Sequence, residues 1–89
     1  MRLRRFWFEF DDAAFLRAPS VLGLGCGVTA WTEHDALVLL QQRVFHEAPM
    51  PRIKGIIHDV DVSTLDAGHV LPNMLPPNRR GIWFPQGYD

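Results

Sequence analysis

A chain of 89 residues has room for one modest core and not for two, so a single domain over residues 1–89 is expected. With 47 % hydrophobic residues it is not a disordered chain, and a formal net charge of −1 gives no general pull toward nucleic acid or an anionic membrane. Cys26 is the single cysteine, which excludes a disulfide within the chain and points to a reducing, cytoplasmic setting.

The N-terminal stretch Arg2-Leu3-Arg4-Arg5-Phe6-Trp7-Phe8 opens like a signal peptide, but Glu9, Asp11 and Asp12 cut its apolar run short. No stretch approaches the ~20 apolar residues that span a membrane. Residues 3–10 instead alternate: Phe6, Phe8 and Phe10 share one side, and Arg5, Trp7 and Glu9 the other. This is the period of a half-buried strand. Ala18-Pro19-Ser20 breaks the connection to the next strand, which has room for a helical turn around Ala14-Phe15-Leu16.

Residues 21–31 predict a second strand of unusual make-up. Gly23, Gly25 and Gly27 alternate with Leu22, Leu24, Cys26 and Val28, so one face is smooth and apolar while the other is bare. Thr29 and Trp31 continue the bare face. Three glycines on one side suggest that another group lies close against the backbone. The spacing G-x-G-x-G sits inside the strand and not in a turn before a helix, and no GK[ST] is present, which argues against a nucleotide cradle.

Thr32 is a good N-cap, and Glu33 and Asp35 suit a helix N-terminus. Ala36, Leu37, Leu40 and Val44 form an apolar stripe, so a helix is expected to about Phe45 or His46, before Pro49 and Pro51. Residues 53–62 predict a third strand, 63–74 an irregular stretch, and 80–84 a short fourth strand with Ile82 and Phe84 on one face and Trp83 on the other. The order β-β-α-β-β predicts an α+β fold: a four-stranded, mainly antiparallel sheet with one amphipathic helix on one face.

On this reading Trp7, Trp31 and Trp83 share the helix-free face with the glycines. Two coverings are open. The proline-rich segment 71–79 folds over them, or they form an aromatic platform for a protein partner or a second copy, with Asn73 between prolines as a further contact. The platform reading expects Trp7→Ala or Trp83→Ala to lose a partner while the fold survives. A homodimer through this face or through an edge strand is the simplest partner. No cofactor is implied.

The competing reading is a small metal-dependent enzyme built on Asp59, Asp61, Asp66 and His69, whose donor types suit a divalent cation but whose spacing matches no standard motif. His58 lies on the inward parity and reads as a hydrogen-bonded histidine. Cys26, mid-strand and inward, reads as a small hydrophobe and not a nucleophile. Arg2, Arg4 and Arg5 near Trp7, and Arg79 and Arg80 near Trp83, put cations beside aromatics, yet the overall acidity argues against nucleic acid.

Three segments, Gly25-Cys26-Gly27-Val28-Thr29-Ala30, His69-Val70-Leu71-Pro72-Asn73-Met74 and Arg80-Gly81-Ile82-Trp83-Phe84-Pro85, resemble a group of small bacterial proteins of unassigned function. The resemblance covers most of the chain after residue 20. It implies a bacterial, stand-alone domain and brings no activity or catalytic residue with it.

Overall fold

The computed structural model of the protein describes residues 2–11, 24–46 and 48–88. The expected turn around Ala14–Leu16, and Leu22 and Gly23, lie outside the described residues. The elements are β1 (Arg4–Phe10), β2 (Cys26–Ala30), α1 (Glu33–Arg43), β3 (Ile53–His58) and β4 (Gly81–Phe84). They make an α+β fold with one antiparallel sheet of strand order β3-β1-β2-β4. β1 is central: it pairs with β2 on one side and β3 on the other, and α1 carries the chain across between those two.

The helix begins where its capping chemistry places it. Thr32 is extended, and its hydroxyl accepts the Asp35 N–H at 3.0 Å. The Asp35 carboxylate in turn accepts the Trp31 N–H at 3.1 Å, which ties the end of β2 to the first turn. The helix stops at Arg43, earlier than its apolar stripe suggested. Val44 and Phe45 both donate to the Leu40 carbonyl, and His46 then turns left-handed at φ 51°. The buried stripe is Ala36, Leu39, Leu40 and Val44, with Leu37 only half-buried. It packs on Phe6, Phe8, Phe10, Cys26, Val28 and Ile82, the helix-facing side of the sheet.

Three local departures reshape the other side. β2 starts at Cys26 and not at residue 21, because Gly25 takes φ +119° and breaks the strand geometry. Leu24, expected in the core, is therefore exposed. β3 ends at His58, since Asp59 adopts φ 53° and turns the chain. Val60 consequently joins the helix-free face and not the helix side, with its N–H on the Arg5 carbonyl at 3.2 Å. β4 carries an irregularity opposite Gly27 and Val28, which pair with Phe84 and Ile82 and leave Trp83 as the extra residue. Trp83 and Phe84 both enter the second cluster, whereas alternation placed Phe84 beside Ile82.

That second cluster makes the fold three layers deep: helix, sheet and a lid of irregular chain. Trp7, Trp83, Phe84, Val60 and Val70 are buried together, with Val62, Leu65, Met74 and Leu75 packed against them. The lid thus begins at residue 60, well before the proline-rich segment expected to cover this face. It is pinned at its far end by the buried Thr29 hydroxyl, which donates to the Pro77 carbonyl at 2.6 Å.

Candidate functional site

The glycine stripe explains itself once the tryptophans are in place. A Cβ on Gly27 would stand 2.5 Å from Cε3 and Cη2 of Trp83, and one on Gly25 would stand 2.8 Å from the Trp7 ring. Trp83 lies against bare Gly27 in β2 and Trp7 against Gly25 just before it, and the two rings are 5.9 Å apart between centroids at a 35° tilt. Trp7 also lies 5.6 Å from Phe84. The close group that the glycines admit is therefore aromatic and belongs to this chain.

Of the residues expected to meet a partner, Trp7 is 5 % exposed and Trp83 1 %, and Gly25 and Gly27 are buried beneath them. The open-platform reading is corrected at these four positions: residues 60–75 occupy the face. Trp31 alone among the three tryptophans is exposed, at 42 %, because it lies beyond the end of β2 where the lid does not reach. Asn73 is exposed, and its side-chain amide donates to the His69 carbonyl at 2.9 Å, so it closes the turn that it occupies. Gly23 lies outside the described residues.

The acidic cluster is also taken up by local structure. Asp59 forms a two-pronged pair with Arg4, at 3.1 and 2.9 Å, and the guanidinium holds its carboxyl below the usual range. Asp61 accepts both the side chain and the backbone N–H of Ser63, which lower its pKa and start the 3₁₀ turn Val62–Thr64. Asp66 accepts the His69 and Gly68 backbone N–H groups, each at 2.8 Å, and the His69 ring at 3.2 Å; the amides push its pKa down. Asp61 and Asp66 each organise a turn, and Asp59 is taken up by Arg4. Among the described residues no three His, Cys, Asp or Glu converge as a metal-ligand set, so the four residues of the metal-enzyme reading do not form one centre.

His58 sits on the inward parity as expected but is half-exposed, bonded through Nε2 to Glu33 Oε1 at 2.6 Å and edge-on to Phe6. Cys26 is buried, and desolvation pushes its thiol up to about 12, so no thiolate nucleophile is available there near neutral pH.

A different place has the shape of a site. The chain from Leu75 to Trp83 doubles back on β4, closed by the Leu75 N–H on the Trp83 carbonyl at 2.9 Å. This loop encloses a pocket of about 380 Å³. Arg80 stands at it, held by Asp35 through Nε at 2.9 Å and Nη2 at 2.5 Å. The sequence puts these partners 45 residues apart, and nothing in local spacing announces them.

The Arg80 guanidinium lowers the Asp35 pKa. A carboxyl depressed in the folded state stabilises the fold above its unfolded pKa of about 3.9, and that contribution is lost as pH falls through the lower, folded value. Asp35→Asn keeps an acceptor for the Trp31 N–H and loses the charge. The variant is expected to melt about 3–5 °C lower than wild type at neutral pH, with the gap closing below pH 4. Because the pair is partly open to solvent, added salt narrows the gap as well. A gap that persists unchanged at pH 2 refutes the charge pairing as its cause.

Among the described residues no helix is long and apolar enough to cross a membrane. No protein-family model matches the chain, and no curated protein or solved structure matches it either.

Proposed function

We propose that the protein is a small interaction module that pairs with a second copy of itself through the free edge of β3. The observation that carries this reading is Ile57. It is the most exposed large hydrophobic residue described, at 44 %, and it stands on a strand that has no neighbour on its outer side among the described residues. The opposite edge of the sheet differs, since the Leu75–Trp83 closure engages β4. An unpaired edge offers a row of N–H and C=O groups to another strand.

Geometry favours a copy as the occupant. Antiparallel pairing about a two-fold axis at Ile56 sets Ile57 of each copy opposite the bare Gly55 of the other, on one sheet face. It also brings Arg52 and Lys54, at the start of β3, toward the end that carries Asp59 and Glu33. Lys54 and the irregularity of β1–β3 pairing at Glu9 and Phe10 limit the ladder to the later part of the strand.

Light scattering at millimolar protein is expected to give a dimer mass. Ile57→Glu is expected to give a monomer with unchanged circular dichroism, because the side chain is already half in water. A wild-type monomer at that concentration, or a dimer that survives Ile57→Glu, overturns the proposal.

A further inference from the structure

We propose that the pocket between β4 and the 75–81 loop binds a small organic acid: one carboxylate on a compact apolar body. The cavity of about 380 Å³ is within the range of small-molecule sites. Leu75 and Pro76 supply apolar wall, which suits a hydrocarbon body and gives a bare inorganic anion nothing.

The charge around it is unbalanced. Arg80 is neutralised by Asp35 and fixed in position by two hydrogen bonds. Arg79, next to it on the same pocket, has no ion pair or hydrogen bond among the described residues. Two guanidinium groups thus stand at the pocket, and among the described residues a single carboxylate, Asp35, pairs with one of them. A planar carboxylate matches the fork of Arg79, and Asn78 beside it adds an amide that can donate to the same oxygens. Gly81, at φ +148°, holds the loop in a conformation that places its two preceding arginines at the pocket.

The experiment is titration of the full chain with phenylacetate, followed by the amide signals of residues 78–83 and the indole N–H of Trp83. That indole proton is a good reporter, because it is buried and has no hydrogen-bond acceptor among the described residues. Saturable shifts confined to these signals are expected, with affinity lower by about tenfold or more in Arg79→Gln and for the neutral phenylacetamide. Three results each overturn the proposal: no saturable shift up to the solubility limit, equal affinity in Arg79→Gln, or inorganic phosphate giving the same shifts as tightly. β3 and β4 are opposite edges of the sheet, so self-association and acid binding stand or fall separately.

Discussion

Gly27→Ala is expected to destabilise the protein by about 3 kcal/mol or more, at the upper end of overpacking costs, and to lower its melting temperature by at least ~12 °C. The new methyl would stand 2.5 Å from two carbons of the Trp83 ring and closer still to Cζ3. The neighbour cannot give way cheaply. It is a rigid bicyclic ring, 1 % exposed, wedged against Trp7 and beneath the lid. Moving it opens the second cluster. Gly25→Ala meets a further obstacle, since φ +119° disfavours any Cβ and the Phe8 carbonyl oxygen lies 2.7 Å from it. Gly55→Ala in β3 is the control of opposite sign. Its Cβ would meet nothing nearer than Glu9 Oε1 at 4.0 Å, so reduced freedom of the unfolded chain is expected to stabilise the protein by about 0.4–1 kcal/mol. Thermal melts of the three variants decide the matter. A Gly27→Ala melt within a few degrees of wild type rules out the tight seat of Trp83.

The α+β class was legible because it rests on local periodicity. Phe6, Phe8 and Phe10 alternate without interruption, and Thr32 with Asp35 caps a helix from within four residues. The side of the sheet on which Trp7 lies came from the same alternation. What alternation could not show was its own failure. The left-handed turn at Asp59 and the extra residue at Trp83 each shift the parity of the next residues in the chain, and both depend on pairing with a distant strand. Hence Phe84 was expected beside Ile82, and Val60, two residues after the inward His58 in the strand expected over 53–62, was expected on the helix side; both lie on the other face. The acids at 59, 61 and 66 have the residue types of a metal site, and only their geometry reveals turn chemistry and an arginine partner. The pocket at β4 left no trace in local spacing, since the Asp35–Arg80 pair that fixes one side of it joins residues 45 apart in the chain.

Trp83→Ala is expected to cost about 3–5 kcal/mol, whereas Trp31→Ala costs less than about 0.5 kcal/mol. A domain of this length is stable by roughly 4–13 kcal/mol in all, so the first variant sits at or below the edge of folding. The reason is what each ring touches. Trp83 fills the space between Gly27 and the lid, and its removal leaves Val70, Leu75 and Trp7 without a neighbour on one side. It also loosens the wall of the β4 pocket. Trp31 is 42 % exposed and lies outside both buried clusters, and its hydrogen bond to Asp35 comes from a backbone N–H that alanine retains. The platform reading expected the Trp83 variant to lose a partner and keep its fold; a buried ring makes loss of fold come first. Fluorescence separates the cases. Trp31→Phe removes the red-shifted part of the emission and leaves the blue-shifted part from Trp7 and Trp83, while Trp83→Ala shifts the remaining emission toward the red as the lid opens. Cooperative melting of Trp83→Ala within a few degrees of wild type, with emission still blue, contradicts the assignment of Trp83 as the keystone of the helix-free face. That outcome returns it to the surface, where a partner can reach it.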